Sequence, residues 1–186
     1  MKILVTGGCG FIGSNLVERL LKGEHQVTVF DCLSTGSLEN IEESKVEFFS
    51  KPYSQISNLV SDVDVIFHLG IPSSSPMYKK TPRLVGEAIN DAIEILEYAK
   101  EKRCKVVYAS SSSLYNANDV PYHEAMPIQV TDYYTECRHA IERLARLYNI
   151  LFGVKSVGLR FFSVYGPRER SKGTYAKIVS QFLWSM

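Results

Sequence analysis

At 186 residues with 45% hydrophobic side chains, the chain has material for one substantial core and the beginning of a second unit. Twenty-one Lys and Arg against 20 Asp and Glu leave a net charge of +1, which calls for neither nucleic acid nor an anionic membrane; a small molecule is the expected partner. No stretch approaches the roughly 18 apolar residues of a membrane span. Cys9, Cys32, Cys104 and Cys137 have neither metal-ligand nor disulfide spacing, so a reducing cytoplasm and no metal are expected.

The apolar run Lys2 to Thr6 reads as a strand, and Thr6-Gly7-Gly8-Cys9-Gly10-Phe11-Ile12-Gly13 follows it. Gly8, Gly10 and Gly13 fit a G-x-G-x-x-G turn that closes a strand and opens a helix at Phe11 and Ile12, the arrangement that receives a dinucleotide's pyrophosphate. A second strand, Gln26 to Phe30, ends in Asp31, near the offset of about 20 residues at which a carboxylate takes the adenosine ribose hydroxyls. There it would repel the 2′-phosphate of NADP and favour NAD. A simpler alternative is that Asp31 only begins the turn Cys32-Leu33-Ser34-Thr35-Gly36.

Further strands are expected over Val46 to Phe49, Val63 to Leu69, Lys105 to Ser110 and Lys155 to Arg160. Helical period runs from Val85 to Lys100, and again from Thr131 to Tyr148 with Thr131 or Asp132 as the cap. This alternation predicts an α/β fold: a Rossmann-type, doubly wound parallel sheet with helices on both faces. The strand ending at Ser110 delivers Ser110-Ser111-Ser112-Ser113-Leu114-Tyr115 to the carboxyl edge of the sheet, where open α/β folds bind ligands. Tyr134 and Arg138 stand four apart on the next helix, so a phenol and a permanent cation share one face. A tyrosine acting as base near neutrality needs such a cation, because its ordinary pKa is about 10. Plainer readings make the serines loop residues, Tyr134 a packed aromatic, and Arg138 a surface residue paired to Glu142.

Together with Asp64-Val65-Ile66-Phe67-His68-Leu69-Gly70 and Arg160-Phe161-Phe162-Ser163-Val164-Tyr165-Gly166-Pro167-Arg168, these motifs make the chain resemble the extended short-chain dehydrogenase/reductases, specifically the nucleotide-sugar epimerase/dehydratase family. The resemblance implies NAD as cofactor and a nucleotide sugar as substrate, with transient hydride transfer as in UDP-glucose/UDP-galactose 4-epimerases. It implies that Ser111 hydrogen-bonds the sugar oxygen, that Tyr134 transfers the proton, and that Arg138 stands where the family has lysine. The cofactor would lie along Gly7, Gly10, Phe11, Ile12, Gly13, Asp31, the turn Cys32, Leu33, Ser34, Thr35 and Gly36, then Leu69, Gly70, Ile71, Asn90, Tyr134, Arg138 and Phe162. The substrate would meet Ser111, Ser163 and Lys172.

Some departures bear on function. Ser50-Lys51-Pro52 replaces a Gly-Asp pair that contacts adenine in the family, and Ser163 replaces a substrate-holding asparagine. Ser112 and Ser113 stand where similar dehydratases carry Asp-Glu, which disfavours dehydration. Gly166-Pro167-Arg168-Glu169 with Lys172-Gly173 resembles the heptose-6-epimerase branch. A noncatalytic NAD-binding module and a sugar-nucleotide reductase are the rival functions. Family members continue for over a hundred further residues, so residues 1–165 are expected to form the cofactor domain and 166–186 the start of a truncated substrate region. The resemblance also implies a homodimer through the helices carrying Asn90 and Tyr134.

Overall fold

The computed structural model describes all of residues 1–186. In chain order the elements are β1 (Lys2–Thr6), α1 (Phe11–Lys22), β2 (Gln26–Phe30), β3 (Glu47–Phe49), α2 (Ile56–Leu59), β4 (Val65–His68), α3 (Ser75–Lys80), α4 (Leu84–Lys102), β5 (Lys105–Ser111), α5 (Tyr133–Phe152), β6 (Ser156–Phe161) and α6 (Ile178–Ser185), with short 3-10 turns between them. All six strands are parallel, in the order β3-β2-β1-β4-β5-β6. The order reverses between β1 and β4, which opens a crevice at their carboxyl ends. The expected doubly wound sheet is therefore the fold. The fourth strand starts at Val65 rather than Val63, because Lys2 and Asp64 join through their backbones and the Asp64 carboxylate before the ladder begins at Ile3 and Val65.

Alternation along the strands loads both faces. On β1, Leu4 points into a large core with Phe30, Ile66, Val106, Ile95 of α4 and Ile141 of α5, while Ile3 and Val5 pack with Val27, Val29 and Val17 of α1 on the other face. Helix α5 starts at a reciprocal cap: Asp132 accepts from the Thr135 amide at 2.8 Å, and Thr135 Oγ1 accepts from the Asp132 amide at 3.0 Å. It ends at Gly153 in the left-handed region. On β6, Val157 and Leu159 remain exposed, as do Ile178, Phe182 and Leu183 of α6.

The turn between β1 and α1 allows no side chains where backbones meet. A Cβ on Gly13 would lie 2.0 Å from the Gly7 carbonyl oxygen, and one on Gly7, at φ +68°, would lie 2.6 Å from the Gly70 nitrogen. Gly8 is needed for a different reason. Its Cα is pressed against Val29, 2.6 Å from where a Cβ would sit, so Gly7, Gly10 and Gly13 form the cleft side of the turn.

Gly13→Ala should therefore destabilise the fold by about 1–3 kcal/mol in chemical denaturation. Gly86→Ala, on α4 with nothing within 4 Å of the new methyl, should stabilise it by about 0.4–1 kcal/mol.

Candidate active site

The crevice at the carboxyl ends encloses about 940 Å³, within the range of cofactor and ligand clefts. Its floor is the glycine turn. Gly10 caps α1 with no side-chain hydrogen bond and the first turn carries no acidic residue, so the free amides of that turn face the cleft. Asp31 is buried, and it does begin the turn, the simpler of the two alternatives read from the sequence. Its Oδ1 accepts from the Leu33 amide at 2.8 Å and so starts the turn, while Oδ2 accepts from the Cys9 amide at 2.9 Å and holds the glycine loop. Each oxygen keeps lone pairs for a further donor.

Behind the loop, Thr6 Oγ1 lies 2.8 Å from His68 Nδ1 and accepts from the Gly70 amide at 3.1 Å. Burial, with a contribution from the Arg138 charge, pushes His68 down to about 3, so the imidazole is neutral and Nε2 has no partner. Tyr53 donates to the Gly70 carbonyl at 3.3 Å and meets the His68 ring edge-on.

At the other end, Ser111 is buried at the end of β5, and its Oγ accepts from the Ser113 amide at 3.1 Å, bending the serine run into a 3-10 turn. Tyr134 and Arg138 project from α5 into the same cleft, with the guanidinium carbon 5.0 Å from the centre of the Tyr134 ring. Arg138 is only 3% exposed. Nη1 donates to the Ala109 carbonyl at 2.8 Å and Nη2 to the Pro72 carbonyl at 2.9 Å, while Nε is buried without a partner. The guanidinium thus ties the end of β5 to the loop after β4.

Pairing of Arg138 with Glu142 does not occur. Glu142, one turn further along α5, takes Arg160 Nε at 2.9 Å and Nη2 at 2.8 Å and accepts from Ser110 Oγ at 2.6 Å. Burial pushes the Glu142 carboxyl up, but Arg160 and Ser110 outweigh it and hold it below the usual range. The 3-10 turn before α6 brings Lys172 into the cleft, where burial lowers its ammonium's pKa against the opposing effects of Glu169 and Tyr134.

Of the residues singled out from the sequence, Gly7, Gly10, Phe11, Ile12, Gly13, Asp31, Cys32, Ser34, Thr35, Gly36, Leu69, Gly70, Ile71, Ser111, Tyr134, Arg138, Phe162, Ser163 and Lys172 border this one cleft. Leu33 and Asn90 do not. Leu33 sits at φ +57° and turns its side chain into the smaller core. Asn90 is exposed because the helical turn directs Glu87, Ala88 and Asp91 to the cleft instead. Sequence reading missed Glu142 and Arg160 as a partly buried pair, although Tyr134, Arg138 and Glu142 share a four-residue spacing. It also missed Ser75, which donates to the capping Asp132, and the acidic wall of Glu87 and Asp91.

Residues 3–186 match the NAD dependent epimerase/dehydratase family. The chain belongs to that family. NAD is the cofactor that goes with this membership, and the cleft, with uncapped α1 amides and Asp31 at the end of β2, fits a dinucleotide. The ADP-L-glycero-D-manno-heptose-6-epimerase of Alkalilimnicola ehrlichii is 32% identical over 97% of this chain and 58% of its own length. The UDP-glucose 4-epimerase of Thermotoga maritima, solved with UDP-glucose, superposes at a TM-score of 0.90 with 27% identity, over 98% of this chain and 62% of that one. The UDP-glucose 4-epimerase of Thermus thermophilus, solved with NAD, superposes at 0.84 with 29% identity, over 91% and 57%. The chain thus spans about three-fifths of the length of the curated relatives it matches. No helix is long and apolar enough to cross a membrane.

Two outcomes follow from the buried polar groups. Arg138→Ala should lower stability by about 1.5–3 kcal/mol, since two charge-assisted hydrogen bonds vanish and two carbonyls lose their donor; thermal and chemical melts report it. His68 takes up its proton at about 6.5 when unfolded and only near 3 when folded, so the unfolded state binds more protons in between. Stability should therefore fall as the pH drops from 6.5 towards 3, and by less in His68→Asn, as urea midpoints across that range would show.

Proposed function

We propose that this family member carries out epimerisation of a nucleotide sugar, most like the interconversion catalysed by UDP-glucose 4-epimerases. The observation that supports it is the convergence of Ser111, Tyr134 and a buried cation on the cleft that also holds the glycine turn. When bound, NAD supplies a reversible hydride acceptor for one sugar carbon. Tyr134 removes the proton from the hydroxyl on that carbon and returns it after the sugar has turned. Ser111 holds the same oxygen by a hydrogen bond, and its own bond to the Ser113 amide fixes the direction of its hydroxyl. Arg138 stabilises the phenolate through its field, its guanidinium carbon lying 5.0 Å from the centre of the Tyr134 ring, while one N–H of each Nη is held by a carbonyl.

In this reading Asp31 takes the adenosine ribose, Phe162 flanks the reacting end, and Ser163 touches the sugar. Residues 1–165 form the cofactor unit, and 166–186 open the part that grips the substrate. Leu147, Ile150 and Leu151, exposed on α5, supply apolar surface for pairing of two copies. Three buried, unpaired cysteines suit a reducing cytoplasm. A second reading, epimerisation of an ADP-heptose, is favoured by Lys172, whose desolvated ammonium shares the cleft with Tyr134 and could serve as a second proton carrier.

The test is incubation of the protein with UDP-glucose, UDP-galactose and ADP-heptose separately, without added NAD. Turnover of a UDP-hexose that falls about 10²- to 10⁴-fold in Tyr134→Phe while NAD stays bound would bear out the first reading. Turnover of the heptose alone, lost in Lys172→Met, would select the second. No turnover of any nucleotide sugar by a protein that holds NAD would leave a binding module.

A further inference from the structure

One half of the cleft has a wall that neither the fold nor the proposed proton transfer uses. Glu87 and Asp91 stand four apart on α4, hence on one face, and both border the cleft. Asp91 is partly buried, forms no ion pair, and accepts no hydrogen bond from the protein. A partly desolvated carboxylate without a protein donor is free to accept one delivered from outside. Burial, together with Glu87 and Glu94, pushes its carboxyl up to about 6.

The position of Asp91 along the cleft follows from its neighbours. Helix α4 packs against the 3-10 turn Tyr53–Gln55 that follows β3, and the Tyr53 hydroxyl feels the charges of Asp91 and Asp31 together. Asp91 therefore faces the ends of β2 and β3, at the opposite end of the crevice from Tyr134 and Ser111. A dinucleotide with its pyrophosphate on the α1 amides and its ribose on Asp31 has its base beyond that ribose, between the Lys51–Tyr53 segment and α4. A carboxylate is an acceptor only, and the donor on the edge of adenine is its 6-amino group.

We propose that Asp91 reads the adenine of the cofactor by accepting a hydrogen bond from the 6-amino group, with Glu87 keeping that wall acidic. The assignment rests on the cofactor reading given above. It makes the chain selective for an amino-bearing purine through a residue on α4 rather than on the segment that follows β3.

Calorimetry with NAD and with nicotinamide hypoxanthine dinucleotide, which carries a carbonyl oxygen in place of the amino group, tests it. The wild type should bind NAD on the order of tenfold more tightly than the hypoxanthine analogue. Asp91→Asn, whose amide can donate to that oxygen, should bring the ratio to one or invert it, and Asp91→Ala should bring it near one. Glu87→Gln should leave the preference for NAD in place. An equal loss of affinity for both dinucleotides in Asp91→Asn, or an unchanged ratio, would overturn the assignment while leaving NAD binding intact. Failure of the wild type to bind either dinucleotide would overturn the cofactor reading and this assignment with it.

Discussion

The molecule is organised around a place where backbone touches backbone. At the centre of the sheet, Gly7 approaches Gly70 on one side and Gly13 on the other so closely that no Cβ fits on any of the three. This brings α1 end-on to the carboxyl edge of β1, with unoccupied amides at its first turn. Asp31 then fastens the loop to β2 through the Cys9 amide, and Thr6 fastens β1 to β4 through His68 and the Gly70 amide. The crevice is open because these strands are held at this spacing by short backbone and side-chain bonds rather than by bulky packing. A neutral, buried His68 suits that task, because a charged ring would be costly there and would repel Arg138.

The same economy of bonds governs the end of the cleft that holds Tyr134. A guanidinium can satisfy two carbonyls at once while keeping its charge beside a ring, which a single ammonium does with less geometric constraint. Arg138 exploits this by bridging Ala109 and Pro72 under Tyr134. The next carboxylate on the helix face is taken by Arg160 and Ser110, and that partly buried pair ties β6 to α5. Arg138 thus builds the wall on which Tyr134 stands.

Much of this was legible in the sequence because strand periodicity, glycine turns and caps are local. β1 and β2 run over the residues that their apolar patterns mark, and Asp132 caps α5 as one of two anticipated candidates. The illegible parts depend on facing and on distance along the chain. Asn90 and Asp91 differ by one step of a helix, about 100° of rotation, and only packing of α4 on the sheet decides which one meets the cleft. Leu33 belongs to a turn whose left-handed backbone carries its side chain away from its neighbours Cys32 and Ser34. Glu142 could have been sorted to Arg138 or Arg160 by charge alone, and the choice was made by the carbonyls that claim Arg138.

Taken together, the two halves of the cleft are charged in opposite senses. Asp31, Glu87 and Asp91 outnumber Lys51 at the end over β2 and β3, while Arg138, Lys172 and Lys177 outnumber Asp132 at the end over β5 and the last turn. The net charge of +1 conceals this separation, which composition could not have shown. In a low-dielectric crevice such a gradient orients a ligand before any hydrogen bond forms, because each end repels what the other attracts. Neutral donors such as ribose hydroxyls and a purine amino group are accepted at the acidic end, where free anions are turned away. On the proposed reading, a substrate with a diphosphate is drawn to the cationic end, beside Tyr134. On the proposed reading, the cleft thereby sorts cofactor base from substrate phosphate by charge, and the α1 amides between the two ends remain for the pyrophosphate that both halves of the cofactor share.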